Sequence, residues 1–281
     1  MAERDLVKNI FWGLYMLHVI KDAKDIWGKR ELILTLAQAD FKKKFIGSFL
    51  GVCWMFIQPI VTVLIYFFVF QLGFRSQPVA EVPYVLWLIP GIVPWFFFNE
   101  AWGGATNCLY EYQHLVKKMV FKVSILPIIK VVSSLFIHLI FIWIMLCVYL
   151  LFGMQPSIWW IQLLYYTFCT LFLVLGLSYI TASSNAFFKD MGQTVQIVLQ
   201  IGMWVAPIMW SETMFPERFR FFVKLNPVYY LVEGYRDCFI THEGFWEHPQ
   251  LTIYFWCVAV VIFAIGMSLF KKLKPHFADV L

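Results

Sequence analysis

Residues 131–188 carry no Asp, Glu, Lys or Arg, and 58 consecutive uncharged residues leave few folds open. A bilayer core is about 30 Å thick, so one helical crossing takes about 20 apolar residues. The run is long enough for two crossings. Its middle reads Gly153-Met154-Gln155-Pro156-Ser157, a turn signal. The stretch is therefore expected to form a helical hairpin in lipid with little protruding at its tip.

The rest of the chain agrees. Charged residues are 14% of the total and hydrophobic residues 61%, against about 25% charged in soluble domains. The apolar runs are long and do not alternate, so helices rather than barrel strands are expected to span. Part of the aromatic content is interfacial anchoring by Trp and Tyr. The net charge of +5 is segregated by topology and is not a nucleic-acid signal. Six scattered Cys without a CxxC, and six His without an HExxH, point to no disulfide framework and no metal site. The first 48 residues mix charges of both signs, so no cleavable signal peptide is expected there.

Six spans are expected, at residues 49–72, 84–108, 125–152, 159–188, 191–210 and 251–270. Six crossings place both termini on one side. Under that topology the terminal side holds 17 Lys and Arg and the opposite side five. The positive-inside rule then makes the terminal side cytoplasmic. The expected domains are a cytoplasmic region at 1–48, a six-helix membrane domain at 49–270 and a cytoplasmic tail at 271–281.

Segment 9–20 is apolar but too short to cross. Segment 31–45 mixes Leu32, Ile33, Leu36, Phe41 and Phe45 with Lys42, Lys43 and Lys44. That mixture suits a helix lying in the cytoplasmic interface, apolar side into lipid and lysines toward phosphates. Segment 211–250 is long but not polar. It is expected to form two short helices broken at Asn226-Pro227 that dip into the outer leaflet, which is tolerated where protein buries them or a cavity is lined.

The chain lacks a GxxxxGK[ST] phosphate loop, a GxSxG elbow and an evident triad. Two ionisable residues fall within spans and are functional candidates for that reason. Lys130 can snorkel to the cytoplasmic headgroups. Glu100 follows Pro90-Gly91-Ile92-Val93-Pro94, where the helix is expected to be irregular. With no partner visible, Glu100 reads as a polar-network residue rather than a proton relay.

The lead-in to the first span is Ala39-Asp40-Phe41-Lys42-Lys43-Lys44-Phe45-Ile46-Gly47-Ser48-Phe49-Leu50-Gly51-Val52-Cys53-Trp54, then Gln58-Pro59. In order there follow Gly91-Ile92-Val93-Pro94-Trp95-Phe96-Phe97, Leu115-Val116-Lys117-Lys118-Met119-Val120-Phe121, Ile125-Leu126-Pro127, Phe188-Lys189-Asp190, Ala206-Pro207-Ile208 and Leu225-Asn226-Pro227-Val228-Tyr229-Tyr230 through Gly234-Tyr235-Arg236. This ordered set, over residues 31–281, resembles the type-2 ABC exporter permeases that move polysaccharides and O-antigens. Val82-Pro83-Tyr84, Trp160-Ile161-Gln162-Leu163 and the ending Phe277-Ala278-Asp279-Val280-Leu281 look most like permeases for wall teichoic acid. Ala39-Asp40 and Phe121-Lys122 depart from the family's usual Arg-Asp and Phe-Pro, so the polymer stays open.

The resemblance implies an all-α integral membrane protein with six transmembrane helices, an N-terminal interfacial helix and external re-entrant helices between spans 5 and 6. It implies a homodimer in the bacterial cytoplasmic membrane with two copies of a cytoplasmic ATPase subunit. No cofactor is expected in this chain; ATP and Mg belong to the partner ATPase, so the chain itself is not an enzyme. The implied cargo is a glycopolymer on undecaprenyl diphosphate. Lys42, Lys43 and Lys44 beside the Leu50-Gly51 turn are the expected recruiters of the diphosphate. Tyr66, Phe67, Phe70, Trp95, Phe96, Phe97, Trp102, Tyr229 and Tyr230 are candidate channel-lining aromatics, and Tyr235 and Arg236 an external gate. Leu115, Lys117, Lys118, Phe121, Phe188, Lys189 and Asp190 are candidates for contact with the ATPase. Three rivals remain: a proton-coupled flippase using Glu100, a membrane-embedded transferase, which would want clustered acids or His, and a drug exporter of the same superfamily.

Overall fold

A computed structural model describes residues 26–46, 49–73, 82–118 and 121–281. Segment 9–20 and most of the first 25 residues' expectations thus lie outside the described residues. The helices of eight residues or more among those described are α1 Arg30–Lys43, α2 Cys53–Tyr66, α3 Tyr84–Thr106, α4 Leu126–Leu151, α5 Gln162–Asn185, α6 Met191–Val205, α7 Glu217–Lys224, α8 Pro227–Arg236 and α9 Pro249–Leu273. The charge-free run does form a hairpin: α4 and α5, turned at Gly153, whose φ of 81° favours glycine.

Among the described residues, five helical stretches are long and apolar enough to cross a bilayer: Cys53–Gly73, Tyr84–Thr106, Val123–Leu151, Ile158–Asn185 and Pro249–Val280. The fifth expected span, 191–210, does not appear as one long helix. It forms α6 of 15 residues, about 22 Å at 1.5 Å per residue. The cause is Pro207, which lacks an N–H and drives the preceding Ala206 to extended backbone. Even so, α6 and the segment after it run the length of α3 in the opposite direction. Asn107 lies beside Gly192 at one end, Trp95 beside Gly202 in the middle, and the Tyr84 hydroxyl donates to the Met209 carbonyl at 2.9 Å at the other.

The structure differs from the expected irregularity near Pro90 and Pro94: α3 is continuous through both. Pro90 cannot donate to the Leu86 carbonyl. The Tyr149 hydroxyl of α4 donates to that carbonyl instead, so the missing bond is replaced from a neighbouring helix.

α3 sits at the centre, against α4, α5, α6 and α8. α5 and α9 are parallel: Trp256 bonds Tyr165, Phe263 stacks on Phe172 and Phe270 meets Tyr179 edge-on, in step along both helices. Glycines bring them close. A Cβ on Gly266 would lie 2.5 Å from the Gly176 carbonyl oxygen, and one on Gly176 would lie 3.0 Å from the Phe263 backbone. Small residues at such crossings are a common device in membrane helices. The larger apolar core surrounds α3. A second core, at the end where α3 and α5 finish, joins Ile33 and Ala37 of α1 to Leu109, Val116, Ile125, Ala186, Phe270 and Phe277. The expected tail is therefore not free, because Phe277 is buried against Phe270 and Phe187.

Candidate functional site

α1 ends in Lys42 and Lys43, and Lys44 follows as its C-cap. The chain then turns into α2 through Leu50 and Gly51, whose φ of 48° is left-handed. Lys42 and Lys43 are exposed to the surroundings. Lys44 is different. Its ammonium reaches the Glu100 carboxylate of α3 at 2.7 Å, with the Ser134 hydroxyl of α4 at 3.5 Å. Glu100 therefore has a partner, one that lies 56 positions earlier in the chain.

This ion pair lines a groove of about 520 Å³ between the end of α1, α2, α3 and α4. Gln58, Asn99, Ser134 and His138 supply neutral polar groups; Trp54, Met55, Phe96 and Phe141 supply an apolar wall. His138 is fully buried at the back. Its Nε2 lies 2.8 Å from the Tyr235 hydroxyl, and its ring stacks on Phe97.

Lys130 forms the groove's second charged node and is a correction to the snorkelling expectation. It is buried, and bonds Asp40 at 2.7 Å and Glu111 at 2.5 Å, with the Tyr112 ring 5.4 Å away. The Tyr112 hydroxyl donates to the same Asp40 oxygen at 2.8 Å. Burial pushes the Asp40 carboxyl up, but Lys130 and Tyr112 outweigh it and hold the group below its ordinary 3.8. The lysine stays inside because its counter-charges are inside. Asp40 also corrects the reading of α1: the face bearing Ile33, Ala37 and Asp40 packs on the protein, while Leu32 and Leu34 point outward.

Segment 211–250 breaks where expected, at Asn226-Pro227. The Asn226 side chain accepts from the Val228 N–H at 3.0 Å, capping α8, and Pro227 takes its first turn. Tyr235 and Arg236, expected at an external gate, have no external face here. Tyr235 is buried between His138 and the Thr167 hydroxyl, 2.8 Å from each. Arg236 is 2% exposed and donates to the carbonyls of Pro207 at 2.7 Å, Ile208 at 2.8 Å and Trp87 at 3.3 Å, and to Glu233 at 2.6 Å. Its guanidinium lies 3.5 Å over the Trp87 ring. A Cβ on Gly91 would come within 2.7 Å of it, which gives the glycine of Gly91-x-x-Pro94-Trp95 a steric reason. The arginine thus ties α8 to α3 and to the break after α6. Burial lowers its pKa, and Glu233 opposes that.

The nine aromatics divide. Trp95, Phe97, Trp102, Tyr229 and Tyr230 are buried within one chain. Phe96 and Phe97 line the groove. Tyr66, Phe67 and Phe70 are half-buried at the far end of α2, where the Tyr66 hydroxyl meets Met203 of α6 and Phe70 stacks on Tyr84. The two candidate coupling turns sit on the second core. Leu115, Phe121 and Phe187 pack against it, while Lys117, Lys118, Phe188, Lys189 and Asp190 are exposed. Asn185 staples this end, donating to Thr106 and Asn107 and accepting from the Gly192 N–H. Sequence reasoning gave no role to Asp40, Ser134 or His138, and placed Glu111 only at the edge of the candidate coupling segment 111–124. A usable signal was there for the acids, since Asp40 and Glu111 lie at the same membrane edge as Lys130.

A family model described as ABC-2 type transporter matches residues 31–240. An O-antigen export system permease protein RfbA of Klebsiella pneumoniae is 29% identical, over 89% of this chain and 95% of its own length. Another protein of that name from the same organism is 27% identical over the same shares. The RfbA of Myxococcus xanthus is 26% identical, over 93% of this chain and 99% of its own.

Proposed function

The chain belongs to the ABC-2 type transporter family, and from that premise we propose that it is the membrane subunit of an exporter of lipid-linked polysaccharide. Members of the family are multi-pass membrane subunits that work with a separate cytoplasmic ATPase. The observation that carries the cargo is the end-to-end similarity to O-antigen export permeases, over 89–93% of this chain. An O-antigen-type polymer is accordingly the leading cargo. Teichoic acid is a narrower reading, supported by the short motifs alone.

In this reading the polymer is attached to a polyprenyl diphosphate, and two copies of the chain enclose its path. The domains fall at 1–48, 49–270 and 271–281, with six crossings and both termini cytoplasmic. The fifth crossing is made by α6 together with the segment after Pro207. The course of that pair alongside α3 supports this, as does the 17-to-five bias in Lys and Arg. α1 lies in the cytoplasmic interface, with Lys42, Lys43 and Lys44 facing the phosphates of inner-leaflet lipids. ATP and Mg bind the partner, which presses on the turns carrying Lys117, Lys118, Phe188, Lys189 and Asp190. The second core beneath those turns transmits the push to α5 and α9.

Replacing Lys42, Lys43 and Lys44 together by Gln tests the recruitment step. Surface cations near anionic headgroups contribute about 1 kcal/mol each, so polymer export in cells should fall by about tenfold or more at unchanged membrane level of the protein. Export at the wild-type rate would reject the role of the cluster.

A further inference from the structure

We propose that Glu100 is an internal counter-ion that competes with a lipid phosphate for Lys44, so that the groove binds a phosphorylated headgroup reversibly. The proposal rests on the reading of lysines 42–44 as the cluster that recruits the diphosphate, and it adds the residue that lets the diphosphate go.

The two cations that line the groove are held differently. Lys130 is enclosed and bonded to two carboxylates. Among the described residues Lys44 has one carboxylate partner, Glu100, and the side chain of Glu100 is 49% exposed against 24% for Lys44. Glu100 is the less covered member of the pair. A carboxylate so little covered by the chain can swing away from the ammonium, which keeps the Ser134 hydroxyl at 3.5 Å. An ammonium has three donors, and a diphosphate carries more charge than a carboxylate, so the phosphate wins Lys44 when it is present. Glu100 then stands next to a like charge, which disfavours the occupied state. When the headgroup moves on, Glu100 closes back and no bare cation is left beside the apolar wall.

Two further features point to a ligand here. Trp54, Phe96 and Phe141 give a lipid chain an apolar surface next to the charged pair. At the back of the groove His138 Nδ1 is buried and has no hydrogen-bond partner among the described residues, and a buried polar atom without a partner calls for one.

The full-length protein in lipid nanodiscs is titrated with a fluorescent polyprenyl diphosphate, and with phosphatidylglycerol and phosphatidylcholine probes. Glu100→Gln should bind the diphosphate about threefold tighter, the factor that a part-exposed ion pair of ordinary strength represents. Lys44→Gln should bind it more weakly by at least that factor, and phosphatidylcholine should not distinguish the variants. Glu100→Asp, one methylene shorter, should tighten binding by a smaller factor, and it carries the test if the Gln variant does not fold. Equal tightening of phosphatidylglycerol supports the exchange and widens the ligand to anionic lipids in general. Wild-type affinity in both Glu100 variants, with binding lost in Lys44→Gln, overturns the exchange and leaves recruitment standing. Undiminished binding in Lys44→Gln and in the triple lysine variant removes the recruitment reading, and the exchange falls with it.

Discussion

Lys130 and Arg236 are buried cations held by carboxylates and backbone carbonyls, and each one changes what its position in the sequence suggests. Lys130 is near enough to a helix end to snorkel, yet Asp40 and Glu111 hold it within. Arg236 follows a tyrosine-rich stretch, yet three carbonyls and Glu233 take four of its five N–H donors. A planar fork fits such a set better than a point charge. Arg236→Ala leaves those carbonyls and the carboxylate unpaired, and should cost about 3–5 kcal/mol of stability. Arg236→Lys should recover part of that. Thermal unfolding of the detergent-purified protein measures both; a wild-type midpoint for Arg236→Ala would show that the clamp is not structural. At this scale the sequence was least legible. It marked Glu100 and Lys130 as unusual, because charge in an apolar run is visible by composition, and it reached Arg236 and the lysine cluster through the resemblance. It could not pair Lys44 with Glu100 or Lys130 with Asp40, because the partners come from helices far apart in the chain.

Helices were more legible than contacts, and the exceptions have local causes. Hydropathy alone located the spans around α2, α3, α4, α5 and α9. It overran at α6, where one proline ends the helix. It expected irregularity in α3, where the Tyr149 hydroxyl replaces the bond that Pro90 cannot make. Glycines give the contrast a test. A Cβ at Gly266 would press into the Gly176 carbonyl at 2.5 Å, whereas one at Gly104 meets nothing within 4 Å. Gly266→Ala should therefore separate α5 from α9 and cost about 1–3 kcal/mol. Gly104→Ala, in the helix interior, should be neutral or stabilising by up to about 1 kcal/mol. Equal unfolding midpoints for the two variants would mean that α5 and α9 do not need this close approach.

For the whole molecule, the proposed six crossings put Trp246 and Lys189 on opposite sides of the membrane. In a cysteine-free background, Trp246→Cys should react with a membrane-impermeant maleimide in right-side-out vesicles. Lys189→Cys should react only after the vesicles are opened. Reaction of both without opening would overturn the six-crossing course. By itself the sequence determined that the chain is a helical membrane protein, about where it crosses and which family it resembles. Those properties follow from local apolarity and from short ordered motifs, which one strand of text carries complete. Only the tertiary structure decided that Lys130 and Arg236 are internal, that Phe277 joins a core, and that Lys44 and Glu100 meet across a groove. The physical reason is that lipid requires charges and backbone groups to be satisfied inside the protein, and which distant group does so is a property of packing, not of any one segment.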